Sequence, residues 1–311
     1  MEVREAEAKI AELKQRMLAL KQEDRLQKDA MEQQIEDIRK QAYEELDAWD
    51  IVYLARHPKR PKAKDYIEAL FEDFIEFHGD RLYRDDEACQ GGIAMFHGLP
   101  VTILAQSKGK TLEENMKQNF GMLHPEGYRK ALRLAKQAEK FHRPIINFVD
   151  TAGAYPGKGA EERGQAEAIA QCLKVFSTLK TPVISIVLSE GGSGGALAFT
   201  VADHILMLEH AMYSILSPEG FASILWKDEK RAKEAACLME LTSKDLKEKG
   251  IVDTIIKEPK GGVHRYMEYV CDQMDRALKE QLEILLKKKE KVLLKERYEK
   301  FRKIGTVYEN L

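Results

Sequence analysis

The chain has 311 residues, 44% of them hydrophobic and 33% charged, with a formal net charge of −2. That length accommodates one large α/β domain with helical additions, or two modest domains. The near-neutral balance excludes a strong overall field for nucleic acid or an anionic membrane, so an anionic ligand must be met by local cations or helix N-termini. The opening Met1-Glu2-Val3-Arg4-Glu5-Ala6-Glu7 lacks the apolar region of a signal peptide. The most apolar runs, near residues 145–149 and 182–188, are far shorter than the roughly 20 residues of a membrane span. A cytoplasmic location is expected. Cys89, Cys172, Cys237 and Cys271 are widely spaced, without a C-x-x-C pair; reduced thiols and no metal site are expected.

Residues 1–49 read as helical. Ile10, Leu13, Met17 and Leu20 follow a 3-4-3 spacing, and Met31, Ile35, Ile38 and Ala42 a 4-3-4 spacing, on either side of a polar stretch at residues 22–29. Each series makes an apolar stripe, which predicts a helical hairpin packed on its own domain or on a neighbouring subunit. His57-Pro58-Lys59-Arg60-Pro61 punctuates the chain. Tyr66, Leu70, Phe74 and Phe77 then predict a helix ending at Gly79.

From residue 91 the pattern becomes that of strands. Residues 91–96 and 101–106 flank His97-Gly98-Leu99-Pro100 and read as a hairpin. A buried strand is predicted over 144–150, then a glycine-rich loop and a helix from about 161 to 179. A second strand over 182–188 leads into a glycine run and a short apolar helix from Ala196. Residues 204–208 and 212–216 read as another strand pair, and Pro218-Glu219 opens a helix. This alternation favours a parallel-type sheet covered by helices. Tyr266, Val270, Met274, Leu278, Leu282 and Leu285 mark a last long helix, and the lysines at 287, 288, 289 and 291 read as its solvated continuation. The chain divides into a helical segment (1–49), an α/β domain (50–289) and a helical tail (290–311).

The sharpest chemical signal is Ser189-Glu190-Gly191-Gly192-Ser193-Gly194-Gly195-Ala196, set between a buried strand and an apolar helix. Glycines allow close approach by a ligand. The first turn of a helix offers N–H groups without intrahelical partners. Together they suit an oxyanion hole, where donors meet charge that develops during reaction. Gly191-x-Ser193-x-Gly195 also satisfies the nucleophile-elbow pattern, with Asp203, His204, His210, Asp253 and His264 nominally available as partners. The dinucleotide fingerprint fails at Leu197, and Gly109-Lys110-Thr111 lacks the first glycine of a P-loop because Leu104 stands there. A second loop, Asp150-Thr151-Ala152-Gly153-Ala154-Tyr155-Pro156-Gly157-Lys158-Gly159, also ends a strand, where ligands bind in such sheets. Asp150 is either a general base or a turn cap. Glu161, Glu162 and Arg163 read as structural, and Arg129, Lys130 and Arg133 either meet phosphates or remain surface charges.

Several motifs occur together and in order: His57-Pro58-x-Arg60-Pro61, Gly79-Asp80-Arg81, Asn119-Phe120-Gly121-Met122, Pro125-Glu126-Gly127-Tyr128-Arg129-Lys130-Ala131, Gly153-Ala154-Tyr155-Pro156-Gly157, Gly159-Ala160-Glu161-Glu162-Arg163-Gly164-Gln165, the glycine run, and Ser217-Pro218-Glu219-Gly220. In these the chain resembles the carboxyltransferase alpha subunits of bacterial multi-subunit acetyl-CoA carboxylase, over about residues 36–265. Ala152 departs from the proline expected there. The resemblance implies an α/β, crotonase-like ββα spiral with N-terminal and C-terminal helical extensions. It implies an obligatory beta subunit bearing a zinc ribbon, usually in an α2β2 assembly, with a biotin carboxyl carrier protein and a biotin carboxylase as further partners. The implied reaction carries a carboxyl group from carboxybiotin to acetyl-CoA, giving malonyl-CoA for fatty acid biosynthesis. It implies an oxyanion hole at the N–H groups of Gly194 and Gly195, and a carboxybiotin pocket at Gly153, Ala154, Tyr155, Gly191 and Gly192. A branched side chain at Gly194 or Gly195 is then expected to spoil the hole and spare the fold. A serine hydrolase using Ser193 is the alternative reading.

Overall fold

The computed structural model describes residues 1–20 and 24–305. Gln22 and Glu23 of the polar stretch, and residues 306–311 of the tail, lie outside them. The two apolar stripes form helices Val3–Ala19 and Arg25–Ala42. They bury Val3, Ala6, Ala42 and Tyr43 against Leu54 of the next helix, Ala48–Ala55. The Val3 N–H also donates to Asp50 at 2.8 Å. The hairpin therefore packs on its own chain.

Helix Ala63–Leu70 is shorter than its apolar spacing predicts. Phe74 belongs instead to strand β1 (Glu72–Glu76), which pairs antiparallel with β2 (Cys89–Phe96) through Glu72↔Met95 and Ile75↔Ile93. The open edge of β2 carries backbone groups that need partners, and pairing outweighs a local helical preference. β2 and β3 (Leu99–Gln106) form the predicted hairpin. Its turn is His97 and Gly98 alone, at φ +48° and +77°. Two positive φ values match the twist of the strands, so Leu99 and Pro100 already belong to β3.

Four parallel strands follow: β4 (Ile145–Thr151), β5 (Val183–Gly192), β6 (His204–Leu208) and, after the short β7 (Met212–Ser214), β8 (Thr254–Ile256). The sheet order is β1-β2-β3-β4-β5-β6-β8, with β7 also on β5. Residues 204–208 and 212–216 are thus not a pair. β6 aligns with residues 184–187 of β5, and β7 with residues 190–192. The reason is that β5 continues beyond its predicted end through Glu190, Gly191 and Gly192, leaving a further length of edge after β6 has stopped. β4 and β5 are buried along their whole length, as a helix-covered parallel sheet requires.

The helix predicted over 161–179 is two helices, Lys158–Glu162 and Gln165–Phe176, separated by Gly164 at φ +84°. The end of the chain likewise forms two, Met267–Leu286 and Glu290–Lys303. Arg297 on the last helix is 1% exposed. It donates to the carbonyls of Phe176, Leu179 and Thr181 and to the Asp203 carboxylate.

Candidate active site

β5 runs straight into helix Ser193–Thr200, which starts at Ser193 rather than at Ala196. Two glycines are compelled by backbone packing. A Cβ on Gly192 would lie 2.0 Å from the Ala152 carbonyl oxygen. One on Gly195 would lie 2.6 Å from the Gly153 carbonyl carbon and 2.7 Å from the Ala154 nitrogen. The two glycine-bearing loops therefore abut at the ends of adjacent strands, with Thr151 in register with Gly191. The expectation that a branched side chain at Gly195 spares the fold is overturned by this contact. Gly194 is different: its Cβ would meet only Ile169 Cγ2, at 3.7 Å.

Its N-cap, Gly192, has no side chain to cap it, and no capping side chain is found among the described residues; the first-turn N–H groups have no intrahelical acceptor either. Ser193 and Gly194 border a cavity of about 960 Å³, whose other walls include Leu197, Tyr213, Ile215 and Phe221. Gly153, Ala154, Tyr155, Gly191, Gly192 and Gly195 do not reach its wall. Gly153 and Ala154 brace the turn from outside the cavity. Tyr155 is turned elsewhere, its ring 4.2 Å from that of His124 and its N–H donating to Leu123 O at 3.1 Å.

The nucleophile reading of Ser193 is not supported. The serine is exposed at φ +54°, as an elbow serine would be, so the reading turns on its partners. The three histidines named as possible bases are engaged elsewhere: His204 with Thr254 at 2.9 Å, His210 with Glu258 at 3.3 Å, and His264 stacked on His57 at 4.1 Å. Asp203 and Asp253 pair with Arg297 and Lys300. No triad can be assembled from these groups.

Asp150 is neither an exposed base nor a cap. It is fully buried and ion-paired to Lys108 at 2.9 Å. Lys108 also reaches Glu190 at 2.6 Å, and Glu190 in turn meets Arg56 at 2.8 Å. Burial alone would raise the Glu190 carboxyl, but Lys108 and Arg56 override it and hold it at about 2. A depressed carboxylate stabilises the fold above its ordinary value near 4.5 and loses that contribution as pH falls from there toward 2. Sequence reasoning passed over Lys108 and Arg56, which lie outside both glycine loops. The available signal was Glu190 itself, a carboxylate closing a buried apolar strand, which demands a counter-charge.

The cations at 129, 130 and 133 are spent inside the chain. Lys130 is buried and donates to Cys89 O at 2.7 Å while pairing with Asp85 at 3.0 Å. Arg129 donates to Arg163 O, and Arg133 to Gly79 O at 3.0 Å. Arg163 forms a two-pronged pair with Glu126 at 2.8 and 3.1 Å.

A family model described as acetyl co-enzyme A carboxylase carboxyltransferase-like matches residues 1–305. The chain belongs to this family. The acetyl-coenzyme A carboxylase carboxyl transferase subunit alpha of Bacillus subtilis (strain 168) is 53% identical over 303 residues, covering 97% of this chain and 93% of the relative. The same subunit from Clostridium botulinum (strain Eklund 17B / Type B) is 59% identical over 259 residues, 83% of this chain and 94% of the relative. Among solved structures, a transcarboxylase 12S chain matches with TM-score 0.60 at 20% identity, over 73% of this chain and 42% of that one. The beta subunit of P. aeruginosa geranyl-CoA carboxylase matches with TM-score 0.58 at 13% identity, over 78% and 45%. At those identities the likeness is one of fold, and this carboxyltransferase has the crotonase-like architecture. No described helix is long and apolar enough to cross a membrane.

Proposed function

We propose that the chain is the alpha half of a carboxyltransferase that, with a beta subunit, moves a carboxyl group from carboxybiotin to acetyl-CoA and yields malonyl-CoA. The observation that carries this reading is the uncapped first turn of helix Ser193–Thr200, opening at Gly194 on a largely apolar cavity. A biotin ring system fits such a site: its uncharged bicyclic body suits walls such as Leu197, Tyr213 and Phe221, and its carbonyl oxygen needs donors. When bound, carboxybiotin supplies the activated carboxyl group. The chain contributes the N–H group of Gly194 at the cavity wall, with that of Gly195 one residue behind it in the same turn, aided by the helix dipole, where negative charge develops. The apolar walls keep water out, which strengthens those donors. Gly153 and Ala154 hold the turn through their contact with Gly195. No side-chain nucleophile takes part, so Ser193→Ala should keep carboxyl transfer within about threefold of wild type, in line with a surface change outside the donor set. Stoichiometric fluorophosphonate labelling of Ser193 would contradict that outcome.

Partner binding is part of the proposal. Leu197, Ile215 and Leu238 are exposed around the cavity, with Ile224 and Leu225 exposed on the adjoining helix Pro218–Trp226. An apolar group of this kind calls for cover, and we assign it to the beta subunit, in an α2β2 assembly to which a biotin carboxyl carrier protein delivers its group from biotin carboxylase. The test is reconstitution. The chain alone should form negligible malonyl-CoA, and adding the beta subunit should restore it. Full turnover by the isolated chain with free carboxybiotin would sink the half-site reading.

A further inference from the structure

Two features beside the glycine run have no role in the oxyanion reading: a largely buried cation and a left-handed turn. Lys108 follows the end of β3, with its side chain 13% exposed. Its ammonium lies 2.9 Å from Asp150 Oδ1 and 2.6 Å from Glu190 Oε2. Asp150 lies next to Thr151 in β4, and Glu190 immediately precedes Gly191 in β5. One ammonium thus bridges the ends of the two strands whose loops meet where Gly192 touches Ala152. Asn119, Phe120 and Gly121 all have positive φ, +46°, +54° and +78°. A Cβ on Gly121 would lie 2.5 Å from the Asp150 carbonyl oxygen and 2.9 Å from Lys108 Cγ. The turn is folded over the lysine stem. Beyond Glu190, Arg56 continues to Glu219 at 2.6 Å, in the first turn of the helix that brings Phe221 to the cavity.

We infer that Lys108 is a positioning residue for carboxyl transfer, fixing the spacing between the Gly153 loop and the turn that presents the Gly194 and Gly195 donors. It does not line the cavity, so it acts through its two carboxylates. Asp150 and Glu190 are like charges on neighbouring strands, with side chains 0% and 10% exposed. The ammonium is the tie that draws their two strand ends together; without it that tie is lost, and where both carboxylates remain their repulsion, weakly screened at that depth, adds to the separation. Donors aimed at a transition state must be held to within roughly 0.5 Å, and a misplacement of about 1 Å costs about 100-fold. This inference rests on the oxyanion role of the glycine turn.

The test compares wild type, Lys108→Met, Lys108→Arg and the double variant Lys108→Met/Asp150→Asn, each assembled with the beta subunit. Lys108→Met should lower kcat about 100-fold with KM for acetyl-CoA within about threefold, because the substrate contacts remain while the donors move. Lys108→Arg, which keeps the bridging charge, should recover to within about tenfold of wild type. The double variant leaves no orphaned carboxylate at Asp150, so it folds even where the single one does not. It should still be about 100-fold slow. Amide hydrogen exchange over residues 189–200 should be faster in the methionine variants than in wild type. Wild-type kcat in the folded double variant, or unchanged exchange, overturns the inference. An inactive wild-type complex would refute the carboxyl-transfer reading instead, and the exchange comparison would still decide the bridge.

Discussion

Gly194→Val should reduce carboxyl transfer by about 100-fold or more while the folded complex keeps its thermal midpoint. The magnitude is that of losing one oxyanion donor. The position allows the test because a Cβ there makes a single ordinary contact, with Ile169 at 3.7 Å, whereas the neighbouring glycines press backbone on backbone. Valine adds two methyl groups beside the first-turn N–H groups and next to the cavity wall. An acceptor approaching those donors is then crowded out. Biotin-dependent decarboxylation of malonyl-CoA, the reverse reaction, reads this half of the chemistry in isolation. A near-normal reverse rate in a folded, assembled Gly194→Val complex would end the oxyanion assignment. Gly195→Val is not an equivalent experiment, since its side chain would collide with Gly153 and Ala154 and report on folding.

The largest stability effect is expected at Arg60. Its guanidinium grips Glu258 through two bonds of 3.0 and 2.6 Å and donates to the Leu188 carbonyl of β5 at 2.9 Å. The two side chains are 2% and 0% exposed. Arg60→Met leaves a buried carboxylate without its cation, a loss of about 3–5 kcal/mol. At roughly 2–4 °C per kcal/mol, the midpoint should fall by about 10 °C. Burial alone would raise the Glu258 carboxyl, but Arg60 outweighs it and holds the group well below the usual range. The pair therefore stabilises at neutral pH, and its contribution fades as pH drops below the ordinary glutamate value. Calorimetry at neutral and acid pH should show the Arg60→Met deficit shrinking in acid. Adding Glu258→Gln should recover part of it. A neutral-pH deficit below about 1 kcal/mol would show that the pair is not the anchor its burial implies.

Much of this was legible in the residues. The hairpin at His97 and Gly98, the buried strands that became β4 and β5, and the glycine run all carry local signals, so periodicity and turn chemistry sufficed. Phe74 and Phe77 misled because a spacing of three and four residues over so short a run fits a helix, while β1 exists through its pairing with β2. Helix Ser193–Thr200 began earlier than the glycines suggested because glycine propensity counts against a helix, yet backbone contacts with Ala152, Gly153 and Ala154 require it at two of those positions. Read in sequence as room for a ligand's approach, Gly192 and Gly195 owe their identity to packing between the loops. Of the charge chain from Asp150 through Lys108, Glu190 and Arg56 to Glu219, only the need for a counter-charge at Glu190 was legible; its partners are ordinary charged residues far apart in sequence and joined only by the fold.

β5 is paired along both edges, with β4 on one side and β6 and then β7 on the other, and it runs directly into helix Ser193–Thr200, which carries the proposed donors. A slip of one residue in that pairing would move every β5 side chain to the opposite face of the sheet, into a core shaped for its neighbour, and carry Gly194 about 3.3 Å along the strand. A hydrogen bond tolerates a few tenths of an ångström. Strand register therefore serves as the length standard of the candidate site, set by ladders that run the length of β5 up to Gly192.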